Sequence, residues 1–160
     1  MPSQRFVVIG EEHCGKTCFV DSLLGQDFLP RSIHNSRNVE IKVVHSPDLQ
    51  TPNVEVEEGP EGEPKKYTNL KEASKWIGDL LMRASDSQMG DRLTVTLNTN
   101  QSADMIIVDT IGGNPSKPET MDIIRRNISN SANIIVLVMN ALSLKEDNIE
   151  LKNRWFSLIR

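Results

Sequence analysis

The sequence predicts an open α/β sheet, because short apolar segments of strand length alternate along the chain with longer segments of helical periodicity. A β-branched run, RFVVIG, ends at Gly10 and is followed directly by a glycine-rich loop. A second run, ANIIVLVMNA, is continuously apolar over residues 134–139, which is typical of a strand buried on both faces. With 160 residues, of which 38% are hydrophobic, the chain is long enough for one domain with its own core.

The charge balance excludes several classes of partner. The 18 basic and 22 acidic residues give a net charge of −4, so there is no basic excess to drive binding to nucleic acid or to an anionic membrane surface. No apolar run approaches the roughly 18 residues of a membrane span, and the first residues lack a secretory signal. We therefore expect a cytoplasmic protein without a direct membrane-binding segment, in which Cys14 and Cys18 are reduced thiols.

The helix after the glycine-rich loop has a clear pattern and a clear end. Phe19, Val20, Leu23 and Leu24 recur at helical spacing, and Gly25 marks the predicted C-terminal stop. The order of strand, loop and helix is therefore that of a βα unit.

The middle of the chain predicts a strand, an insertion and a helix. Apolar and polar residues alternate over residues 39–44, as in a half-buried strand. Residues 46–64 hold four prolines and a cluster of glutamates, and we expect an exposed, mobile, acidic insertion there. Over residues 69–84 apolar residues lie three and four apart on an otherwise polar segment, which predicts an amphipathic helix packed on the sheet.

The remaining segments continue the alternation of strands and helices. We predict strands over residues 92–99 and 132–141, of which the first has the alternating pattern of an antiparallel strand. Helices are predicted over residues 119–130 and 144–160.

The glycine-rich loop, GEEHCGKT, fits the pattern of a phosphate-binding loop, in which Gly10 and Gly15 supply the backbone shape. In such a loop successive backbone N–H groups and the N-terminus of the following helix point at the phosphates. Lys16 would reach the terminal phosphates, and the Thr17 hydroxyl would bind Mg²⁺. The preceding strand and the following helix support the motif.

An Asp-x-x-Gly turn supplies a second motif. Asp109 ends an apolar strand and would hold the metal through water, while Gly112 would offer an N–H to the γ-phosphate. Alternatively, the Gly-Lys-Thr sequence is accidental and Asp109 is an ordinary turn residue. The two motifs in their strand context favour a P-loop NTPase-like fold, with a mostly parallel sheet flanked by helices.

The stretch FVVIGEEHCGKTCFVDSLLGQDFLPR resembles the start of a dynamin-type GTP-binding domain (G domain), where the phosphate loop and its helix run into a Phe-Leu-Pro-Arg segment. KKYTNLKEASKWIGDLLM, MIIVDTIGG and NIIVLVMNA are similar to later segments of that family. The resemblance implies a Mg²⁺-dependent GTPase of a membrane-remodelling family, with GTP and GDP as ligands and a possible homo- or hetero-dimer through the nucleotide face. The implied nucleotide-binding residues are Gly10, Glu11, Glu12, His13, Cys14, Gly15, Lys16, Thr17, Cys18, Asp109 and Gly112.

Three loop positions depart from that family. Where its members have Gly, Gln and Ser, this chain has Glu11, Glu12 and His13, and Glu12 takes the position that orients the attacking water. A carboxylate within about 5 Å of a phosphate costs about 3 kcal/mol at an effective dielectric constant near 20, unless it turns outward or a cation intervenes. We therefore expect weak nucleotide binding and weaker catalysis. Alternatively, Glu12 orients the water itself, or binds a cation together with His13.

The first switch differs as well. The family has a threonine there that serves Mg²⁺ and the attacking water, and the nearest match is Ser36. The resemblance implies Lys16, Glu12 and Ser36 as catalytic residues, and Thr17, Ser36 and Asp109 as metal ligands. The alternative for Ser36 is a solvated polar turn.

The sequence ends before the position of the family's Thr-Lys-x-Asp motif, which recognises guanine. We therefore expect residues 1–160 to be an incomplete G domain that lacks its last strands and discriminates poorly between GTP and ATP. Two functions stay open. Lys16, Thr17 and Asp109 favour a GTPase, whereas Glu11 and Glu12 favour a catalytically impaired or non-catalytic fragment that pairs with full-length relatives.

Overall fold

A computed structural model describes residues 4–31, 37–57, 63–83, 91–100, 103–131, 134–141 and 149–159. These residues include seven strands and four helices. In chain order the elements are β1 (Gln4–Gly10), α1 (Lys16–Leu24), β2 (Asn38–His45), β3 (Asn53–Glu57), β4 (Lys65–Tyr67), α2 (Leu70–Arg83), β5 (Arg92–Thr99), β6 (Met105–Asp109), α3 (Pro118–Ser131), β7 (Ile134–Val138) and α4 (Ile149–Ile159). The predicted end of the first helix is confirmed, since Gly25 caps α1 with a left-handed φ of 64°.

The strands form one sheet in the order β4-β3-β5-β2-β6-β1-β7. β1 pairs in parallel with β6 and β7, β2 pairs in parallel with β5, and the other three neighbouring pairs are antiparallel. The predicted α/β fold is confirmed, and its sheet is mixed. Because β1 and β6 run parallel, their carboxyl ends at Gly10 and Asp109 reach the same edge of the sheet.

Helices cover both faces of this sheet. α1 and α2 pack on one face through a core that includes Val20, Leu24, Ile77 and Leu81. α3 and α4 pack on the other face through a second core that includes Ile124, Trp155 and Leu158. None of the described helices is both long and apolar enough to cross a membrane.

The segment after α1 is fastened to that helix. Phe28 and Leu29 are buried, and the Leu29 N–H donates to the Asp21 carboxylate at 3.2 Å. The Arg31 guanidinium pairs with Asp21 at 2.9 Å and with Asp27 at 2.8 Å. The Phe-Leu-Pro-Arg sequence therefore fixes the path of the chain beside α1 before it leaves toward the next strand.

The prediction of an exposed insertion over residues 46–64 is wrong for Asn53–Glu57, which form β3 inside the sheet. Val54 and Val56 are buried in the core under α2, while Glu55 between them pairs with Lys66 at 3.5 Å. Two apolar residues at a spacing of two suffice for a half-buried strand once a neighbouring strand is present. The proline and glutamate content of the flanking residues concealed that short pattern.

The prediction of a fully buried strand over residues 132–141 is also wrong in part. The strand is shorter, Ile134–Val138, and its side chains are half-buried or, at Ile134, 38% exposed. Among the described strands β7 pairs with β1 alone, so it lies at an edge of the sheet. An apolar run by itself does not distinguish a central strand from an edge strand.

Candidate functional site

The glycine-rich loop takes a tight path that depends on Gly10. Its φ is 156°, and a Cβ atom placed there would lie 2.3 Å from the Val138 carbonyl oxygen and 2.7 Å from Cys14 Sγ. Neither approach is possible for a residue with a side chain. His13 also lies in the left-handed region, with a φ of 59°. The first glycine of the motif is therefore required by the close contact of the loop with β7.

The N-terminus of α1 begins at a glycine without a side-chain cap. Gly15 precedes the helix with a left-handed φ of 97° and makes no side-chain cap. A Cβ atom on Gly15 would meet no heavy atom of the described residues within 4 Å, so the glycine is required by its backbone angle and not by space. The first N–H groups of a helix need acceptors, and the helix dipole favours a negative one. The arrangement suits a phosphate group.

Lys16 is 7% exposed and folds back over the loop. Its Nζ donates to the Glu11 carbonyl oxygen at 2.7 Å and lies 3.9 Å from Cys14 Sγ. The ammonium thus contacts a neutral carbonyl in the loop. Its charge remains available to a phosphate at the same place.

Thr17 and Asp109 meet across the two motifs. The Thr17 hydroxyl donates to Asp109 Oδ2 at 2.7 Å. The carboxyl is buried, and burial raises the pKa of Asp109 to about 6 against the lowering effects of the Thr17 hydrogen bond and the Lys16 charge. Its second oxygen, Oδ1, is buried and has no hydrogen-bond partner among the described residues. A buried carboxylate oxygen of this kind calls for a cation or an ordered water.

The oxygen atoms of Thr17 and Asp109 fit Mg²⁺. This ion prefers oxygen ligands and keeps several waters, with one or two protein groups and phosphate oxygens completing its coordination. Within the described ranges of the chain, no three His, Cys, Asp or Glu side chains lie together as a metal site. A hydroxyl beside one carboxylate is therefore better suited to a nucleotide-bound Mg²⁺ than to a structural zinc ion.

Strand pairing brings the loop and the Asp-x-x-Gly turn together. Val8 of β1 lies opposite Asp109 of β6, and the Thr110 hydroxyl donates to the Val8 carbonyl oxygen at 2.8 Å. Three residues further along the chain, the Gly113 N–H donates to the Gly10 carbonyl oxygen at 2.9 Å. These bonds continue the sheet beyond β6 and hold the turn beside the phosphate loop.

Gly112 lies directly against the loop at Glu12. A Cβ atom on Gly112 would lie 2.5 Å from Cγ and 2.6 Å from Cα of Glu12. Glycine is therefore required here by space. The contact places the Gly112 backbone at the loop, where the sequence predicts that it meets a γ-phosphate.

The other predicted site residues differ in exposure. Glu12 and His13 are exposed on the loop, Glu11 is half-buried, and Cys18 is exposed on α1. Cys14 is half-buried, and burial raises the pKa of its thiol above the usual value, so the thiol is protonated at neutral pH. Ser36, predicted as a metal ligand and a catalytic residue, lies outside the described residues.

Sequence reasoning missed three residues that support the turn. The Asn38 side chain accepts a hydrogen bond from the Ile111 N–H at 3.0 Å, and Thr110 bonds to β1 as described. Trp155 of α4 is fully buried against Gly113. The doubled glycine at 112–113 could have suggested a close contact, but no local pattern pointed to Asn38 or Trp155.

A family model described as the dynamin family matches residues 6–153, which include the phosphate loop, the Asp-x-x-Gly turn and every described strand but the first two residues of β1. A comparison with curated proteins finds no match.

Lowering the pH should stabilise the nucleotide-free protein through Asp109. Its pKa is raised from 3.8 to about 6, so the folded state binds the proton more tightly than the unfolded chain. The free energy of unfolding therefore rises as the pH falls from about 7 toward about 4. Between about pH 7 and pH 5 the wild type should gain about 1 kcal/mol relative to Asp109→Asn, which has no titrating carboxyl there.

Urea denaturation of both proteins at the two pH values measures this difference. If the stability gap between wild type and Asp109→Asn is the same at both, Asp109 is not a carboxyl with a raised pKa.

Proposed function

The chain belongs to the dynamin family, and we propose that it is a nucleotide-binding G domain that takes GTP and GDP together with Mg²⁺ and hydrolyses GTP. The nucleotide would lie at the edge of the sheet where β1 and β6 end. Its phosphates would occupy the space between the loop and the N-terminus of α1.

One observation carries this proposal, the hydrogen bond between Thr17 and Asp109 at 2.7 Å. The two residues are 92 positions apart in the chain, and each belongs to a separate phosphate-site motif. If the Gly-Lys-Thr sequence were accidental, a hydrogen bond between its threonine and the aspartate of an Asp-x-x-Gly turn would not be expected. Asp109 Oδ1 supports the same conclusion, because it is a buried acceptor without a hydrogen-bond partner in the part of the chain that the structure describes, and a water or a cation would satisfy it.

Each loop residue then has a separate task. The N–H groups at the start of α1 bind phosphate oxygens, and Lys16 exchanges the Glu11 carbonyl for a phosphate, which offers a charged acceptor. Thr17 and Asp109 would hold Mg²⁺, which supplies neutralisation of phosphate charge. Gly112, packed on the loop, offers its N–H to the γ-phosphate.

Hydrolysis depends on the orientation of a water molecule at the γ-phosphate. Glu12 takes the position that serves this purpose in the family, and its carboxylate accepts a hydrogen bond from water but donates none. A glutamine at the same position both accepts and donates. We therefore propose slow hydrolysis, with Ser36 as the further residue of the first switch that contacts the metal and the water.

A non-catalytic role is the second candidate, and the Glu11, Glu12 and His13 substitutions favour it. In this role the chain binds nucleotide weakly and pairs through its nucleotide face with another copy or with a relative. The resemblance to the family implies a guanine preference, so both candidates require guanine and adenine nucleotides to be compared in the same assay.

Lys16→Ala should abolish most of the nucleotide affinity. A hydrogen bond between a charged donor and a phosphate contributes about 1.5–3 kcal/mol, so GDP affinity should fall roughly tenfold to a hundredfold. Lys75→Ala, on the exposed face of α2, is the matched control and should bind as the wild type does. Equilibrium titration with GDP and with ADP in Mg²⁺ measures the effect, and phosphate release from GTP by the same three proteins measures hydrolysis.

Equal GDP affinity in wild type and Lys16→Ala would exclude the loop as the nucleotide site. A lower GDP affinity of Lys16→Ala, together with phosphate release that is the same in both proteins, would leave the non-catalytic role.

Glu12→Gln should raise the affinity for GTP more than the affinity for GDP, because the γ-phosphate brings negative charge closest to that side chain. Glu12 is exposed, so the dielectric constant is closer to that of water, and the gain should be roughly threefold to fivefold. It should shrink at high salt. The measurement is the affinity for a non-hydrolysable GTP analogue and for GDP, with Glu72→Gln on the exposed face of α2 as the control.

If Glu12→Gln leaves both affinities unchanged, the carboxylate points away from the ligand and does not weaken binding. The Glu12 backbone, which meets Gly112, would then be its sole contribution to the site.

A further inference from the structure

Gly113 and Trp155 are fitted to one another. A Cβ atom on Gly113 would lie 2.5 Å from Cη2 and 2.9 Å from Cζ2 of Trp155, and 2.9 Å from Cδ1 of Ile124. These are the far corner of the indole on α4 and the end of a side chain on α3. The turn after Asp109 therefore rests directly on the second core, with no room for one additional methyl group.

The glycine at 113 is explained by the space that Trp155 and Ile124 leave, and not by its backbone angles. Positive φ values among the described residues occur at Gly10, His13, Gly15 and Gly25 only. The backbone at 113 is thus open to any L-amino acid. An alanine there would be opposed by the rigid Trp155 ring and by the flexible end of Ile124, and not by its own dihedral angles.

A continuous series of contacts joins the phosphate loop to α4. Gly112 packs on Glu12, and Gly113 donates to the Gly10 carbonyl oxygen on one side while it meets Trp155 on the other. Glu11 and Gly113 also form an isolated parallel bridge. The turn is held between two bodies, the loop that would receive the nucleotide and the helix that carries the tryptophan.

Packing, and no hydrogen bond to a described residue, holds the Trp155 side chain in the core. The side chain is fully buried in the second core, and Nε1 has no hydrogen-bond partner among the described residues. A buried indole N–H normally finds an acceptor, and leaving it unpaired is costly. A phenylalanine or leucine would avoid that cost. We therefore expect the larger indole ring to make a contact that these smaller side chains would not make.

We propose that Trp155 is a positioning residue for nucleotide discrimination: its ring is the stop against which Gly113 rests, and it thereby holds the Gly112 N–H at the γ-phosphate position. The inference rests on the proposed nucleotide-binding function. It adds that the preference for a triphosphate over a diphosphate is set partly by a side chain on α4 that touches neither ligand.

Three variants test the fit: Gly113→Ala, Trp155→Phe and the double variant. Alanine at 113 displaces the turn, and phenylalanine at 155 withdraws the far corner of the ring and leaves the turn unsupported. Each single variant should therefore lower the ratio of triphosphate to diphosphate affinity, Gly113→Ala by roughly fivefold or more and Trp155→Phe by roughly threefold. In the double variant the added methyl group fills the vacated space, and the ratio should return to within roughly twofold of wild type.

The ratio is measured with guanosine 5′-(β,γ-imido)triphosphate and GDP in Mg²⁺, beside the thermal stability of each protein. A purely structural role would lower stability and leave the ratio unchanged, and that outcome would overturn the proposal. Additive losses in the double variant would overturn it as well. If Gly113→Ala does not fold, the proposal predicts that the double variant folds and has the wild-type ratio of triphosphate to diphosphate affinity. If neither variant folds, the proposed fit between position 113 and Trp155 is excluded.

Failure of the proposed function has a different signature. Wild type that binds neither nucleotide would refute the G-domain function and, with it, this inference. Wild type that binds both nucleotides and prefers the triphosphate, while the variants keep the same preference, would refute the role of Trp155 alone.

Discussion

The parallel pairing of β1 with β6 is the constraint on which the candidate site depends. It sets Val8 opposite Asp109, so the loop after β1 and the turn after β6 leave the sheet side by side. From there the Thr17 hydroxyl reaches the Asp109 carboxylate, and Gly113 reaches the Gly10 carbonyl. A slip of one residue in this register would turn Asp109 to the other face of the sheet, away from α1.

The same constraint explains how a phosphate loop can carry a glutamate at position 12. The backbone of the loop holds the loop against the turn, since Glu11 forms a bridge with Gly113 and Glu12 packs against Gly112. The Glu12 carboxylate is exposed and can be solvated, so its charge disturbs a bound phosphate far less than a buried carboxylate would. The loop shape at Glu12 is thus compatible with an anion, and this substitution bears on affinity and hydrolysis more than on folding.

Residues with a local signature could be predicted from the sequence, and residues that act through distant contacts could not. The left-handed stop at Gly25, the glycine-rich loop and the aspartate at the end of β6 follow from spacing and residue type. β3 was missed because its two valines stand among prolines and glutamates, and because the sheet that buries them comes from elsewhere in the chain. Trp155 was missed for the same reason: a tryptophan in a helical pattern gives no sign of the glycine, 42 positions earlier, against which it packs.

The most direct test is the Mg²⁺ dependence of GDP binding, measured by calorimetric titration in Mg²⁺ and in EDTA for wild type and Asp109→Asn. The asparagine keeps the shape of the side chain and an acceptor for Thr17, but it removes the charge that a metal ion needs. We expect Mg²⁺ to tighten GDP binding to wild type by about tenfold or more, and to have little effect on Asp109→Asn. The same GDP affinity of wild type with and without Mg²⁺, or an equal gain in both proteins, would contradict the assignment of Thr17 and Asp109 as the metal site.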